Sequence, residues 1–211
     1  MADFVGLAFD LAFKYRNPAI ILADGVIGQM MEKVVLPEQR PRLTNEEVMA
    51  RCPWATFGKL KHRGPNIVTS LELDPAEMEK RNIHLQQKYA EIEEKEVRYE
   101  EIHCDDAEYL IVAFGSCARI AQKAMEEARA EGIKVGLLRP ITLWPFPSKA
   151  IAERSRQVKG ILTVELNAGQ MVEDVRLAVE CKVPVEYFGR LGSIVPDPDE
   201  VVTALKEKII K

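Results

Sequence analysis

Closely spaced cysteine pairs are missing from this sequence. Cys52, Cys104, Cys117 and Cys181 are scattered with no Cys-x-x-Cys, which argues against an iron–sulfur or zinc site within the chain. They read instead as small buried thiols of a reducing compartment. Histidine is scarce, and His62, His84 and His103 all precede residue 108. With no Gly-x-Ser-x-Gly elbow either, nothing suggests a hydrolase. Neither a Gly-x-Gly-x-x-Gly run nor a Walker lysine follows any apolar segment, so a nucleotide-binding protein ranks last among the readings. No apolar run approaches the roughly 20 residues that span a bilayer. The opening "MADFVGLAFDLAFKYRNP" places Asp3 and Asp10 where a signal peptide would be apolar. The expected location is cytoplasmic, with no membrane partner. A charge excess is absent too: 29 Lys and Arg face 33 Asp and Glu, which gives no field for nucleic acid.

What remains is globular material, 211 residues of which 47% are hydrophobic, enough for one sizeable core or two modest ones. Val5, Phe9, Ala12 and Phe13 recur at helical spacing. "NPAIILADG" reads as a short strand closed by Asp24 and Gly25, and "IGQMMEKVV" as another helix. One helix, one strand and one helix cannot close a core. Residues 1–36 are therefore expected to be the tail end of a domain whose larger part lies elsewhere. From Leu36 to Leu73 periodicity is lost, with Trp54 and Phe57 isolated. His62 and Arg63 beside Gly64-Pro65 read as a solvated loop rather than an anion site.

At Asp74 a long helix begins. Asp74, Pro75 and Glu77 form the start signal, and Met78, Leu85, Ile92 and Tyr99 fall seven apart with Tyr89 beside them. Glu77–Arg81, Glu91–Lys95 and Glu94–Arg98 are the expected pairs on its wet face. Such a thin apolar stripe suits one contact surface. Residues 37–107 thus read as a linker or extended arm and a long helix.

Residues 108–211 read as one complete α/β domain. "EYLIVAFG", "IKVGLLRP", "ILTVELN" and "VPVEYFG" are apolar strands separated by helices. Four such strands predict a mostly parallel sheet covered on both faces, a three-layer α/β/α sandwich. Ser116 is expected to cap the first of these helices, and the Asp-Pro-x-Glu signal at Asp197 opens the last. In open parallel sheets ligands collect beyond the carboxyl ends of the strands, here Gly115 to Cys117, Arg139 to Pro147, Glu165 to Gln170 and Gly189 to Ser193. Glu165 is the acid placed to be partly buried, and a structural hydrogen bond to a neighbouring loop is its expected role. In "GLLRPITLWPFP", Pro140 stops a strand, Pro145 and Pro147 stiffen a turn, and Ser148 opens the next helix.

"RNPAIILADGVIGQMMEKV", "EMEKRNIHLQQKYAEIEEKEVRYEE", "AFGSCARIAQKA", "KVGLLRPITLWPFP", "VELNAGQMVEDVRLAV" and "YFGRLGSIVPDPDEV" resemble, in this order, the C-terminal part of the alpha subunit of 2-oxoacid:ferredoxin oxidoreductases. The likeness is nearest to the type acting on 2-oxoisovalerate (3-methyl-2-oxobutanoate). The resemblance implies oxidative decarboxylation of a 2-oxoacid with CoA to acyl-CoA, CO2 and reduced ferredoxin. It implies thiamine diphosphate and Mg in the assembled complex, iron–sulfur clusters on partner subunits, and beta, gamma and delta subunits as partners. Residues 108–211 would be a transketolase C-terminal-like domain, and residues 1–36 the last part of the pyrimidine-binding domain. The earlier part of that domain has no counterpart after Met1, so no catalytic or cofactor-binding residue is expected in this chain, and alone it is expected to be inactive. A split gene, a misassigned start and a shortened chain are equally open explanations, and the same reaction on 2-oxoglutarate or pyruvate, or a non-catalytic scaffold module, remain open alternatives. Arg139, Trp144, Gln170 and Arg190 are the candidate interface residues, since Trp and Arg on loops favour buried contacts.

Overall fold

Four apolar runs and one charged segment after residue 98 make a five-stranded sheet in the order β1-β3-β2-β4-β5. Its strands are β1 Tyr99–Ile102, β2 Tyr109–Ala113, β3 Val135–Pro140, β4 Ile161–Glu165 and β5 Val185–Gly189. The last four run parallel, whereas β1 pairs antiparallel with β3, Tyr99 opposite Pro140 and Ile102 opposite Leu137. The computed structural model describes residues 1–55, 58 and 64–210; Phe57, His62 and Arg63 lie outside the described residues.

Contacts divide the chain elsewhere than at residues 36 and 107. One unit takes Met1–Ile21 with Glu32–Lys88, and the other Leu22–Met31 with Tyr89–Lys211. In the first unit, helix α1 spans Ala2–Tyr15 and ends on Arg16 in the left-handed region. Trp54 is not isolated: its ring lies 5.8 Å from Phe13, and the Arg16 guanidinium sits 4.8 Å over it. Asp10 pairs with Arg40 at 2.5 Å. Helix α3, Asn45–Arg51, has a capping box between Thr44 and Glu47, which fixes a turn inside the stretch read as aperiodic.

Helix α4, Pro75–Lys95, starts as expected, with the Asp74 carboxylate accepting from Ala76 N–H at 2.8 Å. Its end differs. The strongly charged "EVRYEEI" carries no helix beyond Lys95, because Tyr99–Ile102 pairs with β3. The pairs shift accordingly. Lys95 meets Glu91 as expected, but Glu77 meets Lys80 and Arg98 meets Glu96.

The second unit also contains α2 Gly25–Gln29, α5 Gly115–Ala130, α6 Ser148–Arg154, α7 Met171–Val179 and α8 Pro198–Leu205, which runs into a π-helical turn, Lys206–Ile210. The expected strand at Ile20–Leu22 is not formed, and Ile20 and Leu22 are exposed; a lone apolar run without pairing neighbours has no ladder to join. Side chains alternate across the sheet. Ile111, Ala113, Leu137, Leu162 and Val164 pack with α5 and α8, whereas Leu110, Val112, Leu138 and Ile161 pack with α6 and α7. Period-two alternation on fully buried strands thus yields three layers, the predicted α/β/α sandwich. Gly136 permits the close approach of the His103 carbonyl, 2.9 Å from where a Cβ would stand.

The outer edge at β5 is blunted. Ile161 N–H takes the Pro184 carbonyl at 2.9 Å, so alternation turns the carbonyls of Val185 and Tyr187 away from β4. Arg176 donates to the first at 3.2 Å and Lys208 to the second at 2.7 Å. Cationic side chains therefore occupy the acceptors a further strand would need.

Candidate functional site

The parallel order brings the carboxyl ends of β2 to β5 to one rim, where a fold of this class would place a ligand. Glu165, at the end of β4, is buried at 1% exposure. One carboxylate oxygen accepts from the N–H of Gln170 at 3.1 Å and Met171 at 2.8 Å, the other from Val172 at 3.0 Å. These are the orphan donors of the α7 amino end, so the charge is satisfied by backbone dipoles and the helix start by a carboxylate. The structural role expected for Glu165 is the one observed. Burial and the neighbouring Glu173 and Glu165 carboxylates push Asp174 above the ordinary carboxylate range.

The amino end of α5 is closed differently. Ser116 is not the N-cap: the helix begins at Gly115, whose φ of +58° suits glycine, and Ser116 is buried inside the first turn. Its hydroxyl donates to Asp24 Oδ2 at 2.6 Å, while Asp24 Oδ1 accepts from Ile27 N–H at 2.8 Å. Burial opposes the charge on Asp24, yet the Ser116 hydroxyl and the amides of Ile27, Ser116 and Val26 hold its carboxyl below the usual range. No local pattern marks this contact, because its partners stand 92 positions apart. Only the Asp-Gly pair at residues 24 and 25, read as the stop of an apolar run, drew notice to the position.

The four candidate interface residues do not form one cluster. Arg139 bonds Glu100 across the β1–β3 pair at 2.9 Å. Trp144 precedes a cis peptide bond to Pro145 and meets the Tyr89 ring edge-on at 5.8 Å, with 53% of its surface still exposed. Beside it Thr142 ties the turn down: its hydroxyl accepts from Arg98 N–H at 3.0 Å and reaches the Pro145 carbonyl at 2.7 Å. Gln170 and Arg190 do come together around Glu165, Gln170 through its N–H on the carboxylate and Arg190 through its N–H on the Glu165 carbonyl at 3.3 Å. The Arg190 guanidinium is engaged with Glu200, whose carboxylate also receives Asp197 N–H at 3.1 Å. The expected start signal of α8 is thereby present.

These residues do not make a cradle for thiamine diphosphate or magnesium. The two carboxylates at the rim, Glu165 and Asp24, already fill the helix amino ends where a diphosphate would bind. Among the described residues no three His, Cys, Asp or Glu side chains stand close enough to share a metal ion. Burial, then the Glu101 carboxylate, pushes the Cys104 thiol up to about 11; burial, then Asp24 and Glu165, pushes Cys117 up to about 12. Both stay protonated, a state that disfavours metal ligation. Also among the described residues, no helix is long and apolar enough to cross a membrane.

A mostly parallel sheet with an antiparallel edge strand and helices on both faces defines a three-layer α/β/α domain, and its rim is bonded within the chain. Residues 107–201 match the model of the pyruvate:ferredoxin oxidoreductase core domain II. The ketoisovalerate oxidoreductase subunit VorB of Methanothermobacter thermautotrophicus is 46% identical over 207 residues, 98% of this chain and 57% of that protein. The 2-oxoglutarate synthase subunit KorA of Archaeoglobus fulgidus is 31% identical over 187 residues, 87% of this chain and 52% of the relative. Among solved structures, the 2-oxoglutarate:ferredoxin oxidoreductase from Magnetococcus marinus, with 2-oxoglutarate, coenzyme A and succinyl-CoA bound, is similar with a TM-score of 0.57 at 25% identity, over 64% of this chain and 24% of that one. Along 98% of its length the chain is similar to a subunit of a 2-oxoacid oxidoreductase, and residues 107–201 carry the core domain II of that enzyme class. It spans little more than half the length of the curated relatives it matches, and those relatives carry the letter B in one enzyme and A in another.

Proposed function

We propose that this chain is a subunit of a multisubunit 2-oxoacid:ferredoxin oxidoreductase, and that the oxoacid is 2-oxoisovalerate. The observation that carries the reading is the 46% identity to a ketoisovalerate oxidoreductase subunit along 98% of the chain, against 31% to a 2-oxoglutarate synthase subunit. The reaction is decarboxylation of the oxoacid and transfer of its acyl group to CoA, with two electrons passing to ferredoxin. Thiamine diphosphate, held by other parts of the assembly, would supply the electron sink that loss of CO2 requires. The described residues of this chain contribute no acid, base or phosphate ligand to that chemistry; their contribution is a rigid domain whose rim docks other parts of the enzyme. Iron–sulfur clusters and ferredoxin contacts fall to partner subunits.

The docking rim centres on Trp144 and Gln170, both exposed, with Leu191 and Ile194 exposed on the loop after β5. Arg139 and Arg190 contribute from within intrachain pairs. A stiff rim of this kind loses little entropy on binding.

Co-purification from the native cell tests the reading. The expected result is one assembly containing this chain together with thiamine diphosphate, iron and sulfide in fixed ratio. Recovery of the chain alone, without any such partner, would reject it.

A further inference from the structure

The amino ends of α5 and α7 both face the rim, and both are filled by carboxylates of the chain itself. They are filled from different distances. Glu165 reaches α7 from the strand just before it, five to seven residues away, whereas Asp24 reaches α5 from 92 residues away. Phe114, the residue before α5, supplies no side-chain cap, so the first turn depends on an acceptor from elsewhere.

Asp24 satisfies two elements at once. Oδ1 takes Ile27 N–H and thereby starts the short helix α2, while Oδ2 takes the buried Ser116 hydroxyl. Apolar burial does little for this segment: Leu22, Met30 and Met31 are exposed, Met31 almost completely, and none of Gly25–Gln29 is buried. A segment that buries so little apolar surface needs a polar anchor to offset its ordering entropy.

We propose that Asp24 is a latch that holds Leu22–Met31 on the C-terminal unit by plugging the amino end of α5 through Ser116. The carboxylate stands where a bound anion would sit on a helix of this length, so the chain uses the helix as an internal socket. Asp24 is thus a positioning residue, and the inference is independent of which oxoacid the assembly consumes.

Hydrogen–deuterium exchange on the full chain within its purified assembly tests this, with Asp24→Ala and Ser116→Ala compared to wild type. Asp24→Ala should speed exchange over residues 25–31 by about fivefold to tenfold, the effect of losing a charge-assisted cap, with β2 and β4 unchanged. Ser116→Ala leaves the Ile27 cap on Asp24 in place, yet should also speed exchange over residues 25–31. It is the milder change and keeps the test alive where Asp24→Ala does not assemble. Because the Ser116 amide still faces Asp24 in the Ser116→Ala chain, the first turn of α5 decides: wild-type exchange over residues 115–118 in Asp24→Ala, or over both 25–31 and 115–118 in Ser116→Ala, would overturn the latch and reduce Asp24 to a local cap of α2.

Discussion

The Trp144 indole meets the Tyr89 ring edge-on, with centroids 5.8 Å apart, while Thr142 beside it binds the Arg98 backbone twice, its hydroxyl accepting from the Arg98 N–H and its own N–H donating to the Arg98 carbonyl. The proline-rich turn after β3 therefore secures the end of α4 and the entry to β1, and still leaves half of Trp144 free. Two roles are separable. The ring pair is worth about 0.5–1.5 kcal/mol beyond burial, so Trp144→Ala should lower the urea stability of the chain only modestly. If the exposed half is a buried anchor in the assembly, the same change should weaken association by about tenfold or more, measured by native mass spectrometry over a dilution series. Intact association and oxoacid turnover in the Trp144→Ala enzyme would remove Trp144 from the docking rim.

Glu165 carries a sharper stability prediction. Replacing it by Ala leaves three backbone N–H groups of the α7 start without their acceptor, and each buried orphan costs about 1–3 kcal/mol less what water recovers. Equilibrium urea unfolding should show a loss of about 2–4 kcal/mol for Glu165→Ala. Glu165→Gln, which keeps one carbonyl oxygen, should lose less. Equal stabilities for the three chains would contradict the capping role.

Much of this was legible beforehand, and the physical reason differs by element. Buried parallel strands read as continuous apolar runs, so β2 to β4 and their helices stood out, with the half-buried edge strand β5 following them in the same alternation, and Glu165 was conspicuous as the acid at the end of β4. β1 was hidden because an edge strand paired on one side keeps charged residues, and Glu-Val-Arg-Tyr-Glu-Glu mimics the wet face of a helix. The Asp24–Ser116 contact and the packing of Trp54 on Phe13 and Arg16 were invisible because they are long-range, and no periodicity encodes them. The interface candidates were chosen by residue type, which does not distinguish an exposed Trp144 from an Arg190 already held by Glu200.

Alkali should destabilise the second unit. The folded pKa values of Cys104 and Cys117 are raised to about 11 and about 12 from 9.0 by burial. Between these values the native state binds more protons than the unfolded one, so stability is complete below about pH 9 and falls as pH rises toward 12. Thermal unfolding from pH 8 to 11 should show a decline that Cys104→Ala and Cys117→Ala reduce. At pH 8 the exposed Cys181 should react with iodoacetamide while Cys104 and Cys117 do not.

Arg176 and Lys208 should act as guards of the β5 edge, since they occupy the outward carbonyls of Val185 and Tyr187. Removing both with Arg176→Ala and Lys208→Ala exposes that row for strand addition. Light scattering of the isolated chain should show concentration-dependent self-association for the double variant and none for wild type. A double variant that stays at the wild-type mass would assign the edge another protection.

Substrate preference of the native assembly tests the central claim most directly. With CoA and ferredoxin present, the enzyme containing this chain should show its highest kcat/KM with 2-oxoisovalerate, ahead of 2-oxoglutarate and pyruvate. A higher value for either competitor would contradict the assigned oxoacid, and no CoA-dependent oxidation of any of the three would contradict the assigned reaction.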